Sequence, residues 1–127
     1  MVYKVTCAII KHEEKTLVVQ RSERMSQSLK WEFPGGKIEA NETAEECIIR
    51  EIMEELNIEI KLLKPLTPSF FKYPNIAIEL IPFLADYQCG ELKLKEHKQF
   101  VFLKNEELIS LDWAEADIPI VKEYLSL

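Results

Sequence analysis

Three carboxylates, Glu51, Glu54 and Glu55, are crowded into the stretch "EIMEE" directly after Arg50. On a helix they fall within about 100° of arc and face one spot. Like charges at this spacing cost a helix about 0.2–0.5 kcal/mol per pair, and acids in a last turn also oppose the helix dipole. A solvated acidic face offset by Arg50 has the same composition but leaves this adverse placement unexplained. A divalent cation explains it. Mg²⁺ takes hard oxygen ligands and is held by a few carboxylates, with positions left for water and phosphate oxygens.

A second group with chemical potential lies upstream in "WEFPGGKIEANE". Gly35 and Gly36, two of only three glycines in the chain, let the backbone approach a ligand closely. Alone, a Pro-Gly-Gly run is an ordinary turn. Its meaning depends on whether the fold brings it beside the acids.

The elements that must position these groups are legible from periodicity. "VYKVTCAII" (Val2 to Ile10) and "TLVVQ" (Thr16 to Gln20) are β-branched runs separated by "KHEEK", which predicts two strands and a turn. "SERMSQSLK" reads as a polar loop leading to Trp31. From Thr43 to Leu56, Ala44, Ile48, Ile52 and Leu56 recur at four-residue spacing, and Thr43 with Glu46 forms a capping box. Asn57 supplies a left-handed stop. "IEIKLL", "IAIELIPFLADY" (Ile76 to Tyr87) and "QFVFL" (Gln99 to Leu103) read as strands, with a turn at "QCG". "DIPIVKEYLSL" reads as a closing helix with Ile120, Val121, Tyr124 and Leu125 on one face, and Asp117 as its N-cap. The order predicts an α+β fold, a mixed β-sheet sandwiched between α-helices.

With 127 residues, 47% of them hydrophobic, the chain is expected to form a single domain over residues 1–127 with one core. A net charge of -6 lacks the basic footprint of a duplex-binding protein, so no nucleic acid duplex is expected as partner. The first residues show no secretory pattern and no apolar run reaches about 18 residues, so no membrane association and a cytoplasmic location are expected. Cys7, Cys47 and Cys89 suit neither a disulfide framework nor a CxxC metal site.

Taken together, Gly36, then Glu42, then "REIMEELNI" (Arg50 to Ile58) resembles the Nudix box, G(x)5E(x)7REUxEExGU with U aliphatic. Six fixed residues at fixed spacing arise by chance at on the order of 10⁻⁷ per position. One departure is visible, Asn57 in place of the last glycine, and Asn is the next best residue for a left-handed stop. "EFPGGKIE" and the late "ADIP" look like the MutT-type branch of the family.

The resemblance implies a Nudix fold and a Mg²⁺-dependent hydrolase, with Mn²⁺ a candidate substitute, that splits a diphosphate linked to another group. For a nucleoside triphosphate the products are the monophosphate and pyrophosphate. Carried over residue by residue, the metal ligands fall on Gly35, Glu51, Glu54, Glu55 and Glu96. Glu54, Glu51 and Glu96 are candidates for the proton-accepting base, with Arg50 orienting the cluster. Arg21, Phe33, Gly36 and Asp117 fall at substrate-binding positions. At the position of Asp117 the MutT branch carries an Asn that reads oxidised guanine. Asp resembles instead the branch acting on cytidine and other pyrimidine triphosphates. Another nucleoside diphosphate derivative, such as ADP-ribose or a dinucleoside polyphosphate, is the rival substrate class, and a nucleotide-sensing module without catalysis is the rival outside it. His97 is expected at the surface, and the aromatics of "SFFKYP" in the core. Monomer and homodimer stay open.

Overall fold

The first two strands, β1 (Val2–His12) and β2 (Lys15–Gln20), are an antiparallel hairpin. Its two-residue turn, Glu13 and Glu14, lies in the left-handed region with φ of 50° and 65°, the turn geometry whose twist matches the strands. The computed structural model describes residues 2–127. β1 pairs in parallel with the long strand β7 (Ala77–Cys89), from Val2 against Ala77 to Lys11 against Asp86. Around this pair the other strands add antiparallel: β3 (Trp31–Glu32) and β8 (Gln99–Leu103) on β2, β4 (Gly35–Lys37) on β1, and β5 (Glu59–Pro65) and β6 (Ser69–Lys72) on β7.

The run "CAII" in β1 is apolar throughout because the sheet is covered on both faces. Successive side chains point to opposite sides. Cys7 and Ile9 join a core with Ile120, Val121 and Tyr124 of α3 (Ile118–Leu125). Ala8 and Ile10 join another with Ile48, Ile52 and Leu56 of α1 (Ala44–Leu56). The expected sheet between helices is therefore present. Each fully buried aliphatic side chain contributes about 1.5–3 kcal/mol relative to exposure, and β1 serves both cores.

α1 begins as its sequence predicts. The Glu46 amide donates to Thr43 Oγ1 at 3.0 Å, and the Thr43 amide donates to Glu46 Oε1 at 2.8 Å. It ends at Asn57, left-handed at φ 61° and ψ 30°, whose N–H returns to the Met53 carbonyl.

The structure adds elements with no periodic signal: β3, β4, β6 and the one-turn helix α2 (Asn105–Leu108). They are too short to show a period and are held by neighbours. The turn expected at "QCG" falls later, because β7 runs through Cys89 and only Gly90, at φ 111°, leaves the strand. Asp117 ends a 3-10 turn (Glu115–Asp117) and its side chain caps no helix amide, which corrects the expected N-cap. Among the described residues, no helix is long and apolar enough to cross a membrane.

Candidate active site

β4 lies against β1, with Gly36 opposite Thr6 and Gly35 opposite Cys7, which brings the Gly-Gly step beside α1. The two glycines answer different needs. A Cβ on Gly35 would collide with the Thr6 carbonyl of the neighbouring strand, whereas one on Gly36 would collide with the carboxylate of Glu51. Gly36 is thus the place where bare backbone admits a box glutamate.

Arg50 organises the acids. Its Nε donates to Glu42 Oε2 at 2.9 Å and its Nη2 to Glu42 Oε1 at 2.7 Å, a two-pronged fork. Nη1 donates to Glu54 Oε1 at 2.7 Å and lies 3.6 Å from Glu51 Oε1, and Nη2 also reaches the Lys37 carbonyl at 3.2 Å. The Arg50 bonds, with help from the Glu39 amide, pull the Glu42 carboxyl down to about 2. Arg50 itself is pushed further up by Glu42 first.

The three helix acids differ in setting. The Glu51 side chain is only 14% exposed, against 47% for Glu54. Burial raises the Glu51 pKa, with Glu54 and Glu55 adding to the rise against the opposing Arg50. Burial, then Glu96, raises that of Glu55. Glu55 Oε2 is buried without a hydrogen-bond partner, an expensive arrangement for an acceptor. The end of α1 is capped by the loop after β7: the Lys93 and Lys95 amides donate to the Leu56 and Glu55 carbonyls at 2.9 and 3.2 Å. That loop carries Glu96, exposed, to the edge of a cavity of about 200 Å³ shared with Glu55, Gly35 and Gly36.

A metal fits this donor set. The available groups are hard oxygens, one of them a buried and unpaired carboxylate oxygen, and hard divalent cations prefer such ligands. No closed cage of three His, Cys, Asp or Glu side chains is gathered among the described residues. Glu54 is turned onto Arg50.

Arg21, Phe33 and Asp117, at substrate-binding positions, line the same cavity as Gly36. Asp117 is buried, and its Oδ2 accepts from the Phe33 amide at 2.9 Å. Burial drives its carboxyl well above the usual range, and Glu32 adds to this. The Phe33 ring lies in the core against Trp113, centroids 4.8 Å apart, so Phe33 contributes its backbone to the site. Arg21 is engaged by its own surroundings: Nη1 donates to Glu32 Oε1 at 2.8 Å, Nε to the Ser26 carbonyl at 2.6 Å and Nη2 to Ser26 Oγ at 3.1 Å.

Arg21, Glu32 and Asp117 also border a second cavity of about 330 Å³, with Val5, Ile78 and Leu80 among its apolar walls. Gln27 also lines it, and its Nε2 donates to the Tyr73 hydroxyl at 2.8 Å. Of the "SFFKYP" aromatics expected in the core, Phe71 packs there, Tyr73 lines this cavity and Phe70 is exposed. His97 is also corrected: its side chain is 5% exposed and Nε2 lies 2.8 Å from Glu32 Oε2. Glu32 and Gln27 escape sequence reasoning, and His97 is misplaced by it, because no spacing links them. The fold alone makes them neighbours.

Residues 2–124 match the NUDIX domain family. The chain is 32% identical to the CTP pyrophosphohydrolase of Escherichia coli (strain K12) over 98% of its own length and 92% of that protein's. It is 28% identical to the 8-oxo-dGTP diphosphatase of the same strain, over 93% of this chain and 92% of that one. The solution structure of the DNA mismatch repair protein MutT (family Nudix hydrolase) from methicillin-resistant Staphylococcus aureus 252 superposes with a TM-score of 0.81 at 38% identity, covering 99% of this chain and 97% of that one. An acidic helix braced by an arginine against a Gly-Gly strand is what the Nudix box becomes when folded, and with these matches the chain belongs to the NUDIX family, as a hydrolase of phosphoric anhydride bonds.

Proposed function

We propose that the protein is a Mg²⁺-dependent nucleoside triphosphate pyrophosphohydrolase that turns an NTP and water into the monophosphate and pyrophosphate. In this reading it clears oxidised or otherwise modified nucleotides, or cytidine nucleotides, from the pool. The observation that carries this reading is the pair of adjoining cavities. One, of about 330 Å³ with partly apolar walls, reaches buried Asp117 and has room for a nucleobase, and the other is lined by Glu55, Glu96 and the Gly-Gly step.

A nucleotide laid across both puts its base beside Asp117 and its phosphates beside α1. Asp117 Oδ2 is used by Phe33, and its other oxygen is left to read the base. When ionised it is an acceptor and suits the exocyclic amine of cytosine, although guanine also offers N–H donors. The relative named CTP pyrophosphohydrolase supports the first choice and the relative named 8-oxo-dGTP diphosphatase the second.

Glu51, Glu54, Glu55 and Glu96, with the Gly35 carbonyl, are the groups that would hold Mg²⁺. The ion, when bound, neutralises diphosphate charge and acidifies water. The attacking water oxygen bonds to phosphorus as the P–O bond to pyrophosphate breaks. A carboxylate among Glu51, Glu54 and Glu96 takes the water's proton. Arg50 keeps Glu54 and Glu42 oriented, and Gly36 keeps space for Glu51.

Product formation resolved by chromatography from natural and modified NTPs (monophosphate and pyrophosphate), ADP-ribose and a dinucleoside polyphosphate, with and without Mg²⁺, tests the reading. Turnover of NTPs that Glu54→Gln abolishes, with folding retained, supports it. Full activity in Glu54→Gln, or hydrolysis confined to ADP-ribose, refutes the assignment.

A further inference from the structure

We infer that Glu32 is a positioning residue of this hydrolase: through its one carboxylate, the loop bordering the larger cavity and the loop carrying Glu96 hold each other in register. Both of its oxygens are spent at 2.8 Å, Oε1 on Arg21 Nη1 and Oε2 on His97 Nε2. An ionised carboxylate only accepts, so Nε2 carries the imidazole proton. The side chains of Arg21 and Glu32 are each 17% exposed and that of His97 5%, which sets these charge-assisted contacts apart from ordinary surface ion pairs.

The three residues belong to different kinds of structure. Glu32 sits on β3, paired with Val19 of β2, so the hub is on a strand. Arg21 grips Ser26 at both its carbonyl and hydroxyl, inside the loop whose Gln27 meets Tyr73 across the larger cavity. His97 follows Glu96 in the loop tied by Lys93 and Lys95 to the end of α1 and by the Lys98 amide to the Gln20 carbonyl. Buried although its Nδ1 finds no partner, the imidazole accepts a desolvation cost that a solvated loop histidine would avoid. Its fixed contact is Glu32.

Arg21 and His97 therefore act on the same carboxylate without a hydrogen bond or ion pair between them. Removing either one breaks the bridge through Glu32 and leaves the Lys98–Glu23 contact as a further tie between the loops, so removing the second adds little. Such dependence is a signature of coupling through a shared partner.

The inference rests on the hydrolase reading and is tested by a double-mutant cycle of Arg21→Ala and His97→Ala, scored on Mg²⁺-dependent pyrophosphate release. Each single change is expected to lower kcat by about tenfold or more with a smaller effect on KM. The double variant should fall no more than about twofold below the worse single. Losses that multiply overturn the inference. If an alanine variant fails to fold, Arg21→Lys and His97→Gln complete the cycle with the same criterion. A second arm needs no substrate: Arg21→Ala should speed hydrogen exchange of the amides at 93–98 by about threefold or more, with α3 unchanged. Unaltered exchange at 93–98 overturns the coupling. If the wild type releases no pyrophosphate from any NTP, the triphosphate reading fails while the exchange arm still decides the coupling.

Discussion

Arg50 grips both oxygens of Glu42, at 2.9 and 2.7 Å, across the gap between α1 and the loop that follows the Gly-Gly strand. The same guanidinium holds Glu54 at 2.7 Å. One planar group thus sets two carboxylates at once, a task that needs a fork of donors.

Lysine at this position keeps the charge and loses the fork. Arg50→Lys is expected to lower kcat by about 10- to 100-fold, the usual cost of removing a group that orients metal ligands. Steady-state kinetics at saturating Mg²⁺ checks this, and activity within twofold of wild type would refute the orienting role.

The Glu42 carboxyl, held at about 2 against an ordinary 4.5, ties stability to pH. Because its pKa is depressed in the folded state, its contribution is fully present above about pH 4.5. It is lost as pH falls toward about 2. Glu42→Gln removes this titration, so melting temperature should fall less steeply between those limits in the variant than in the wild type. Parallel slopes would show that Glu42 is not a source of acid sensitivity.

Neighbouring glycines should fail differently. Alanine at Gly35 meets the Thr6 carbonyl, a piece of fixed backbone, whereas alanine at Gly36 meets the end of the Glu51 side chain. Gly35→Ala should therefore destabilise by about 1–3 kcal/mol as overpacking, seen as a lower melting temperature. Gly36→Ala should melt closer to wild type and lose about a hundredfold in kcat, because Glu51 is displaced.

Asp117 separates specificity from stability. Asp117→Asn retains an oxygen for the Phe33 amide and places a fixed amide donor at the other position, so the protein should fold and its preference between CTP and 8-oxo-dGTP should change by about tenfold or more. Asp117→Ala leaves the Phe33 amide unpaired and should cost about 1–3 kcal/mol. An unchanged substrate ratio in Asp117→Asn would remove base reading from its role.

The box acids, their helix, its capping box and its Asn57 stop were all legible in the chain, because each is a local pattern: charges three and four residues apart, apolar residues every fourth position, one residue type suited to φ above zero. So were the longer strands, whose apolar runs exceed any turn. What local spacing cannot contain is a meeting between distant residues. That His97 is buried on Glu32, that Asp117 serves the Phe33 amide rather than a helix end, and that Arg21 spends its nitrogens on Ser26 and Glu32 were decided by the sheet, which brings β3, the Glu96 loop and the turn before α3 to one edge. The sequence alone determined which chemistry is available, since carboxylates at helical spacing carry it wherever the helix goes. The tertiary structure alone decided which groups are free to act, because hydrogen bonds between residues far apart in the chain form only when packing brings them within reach.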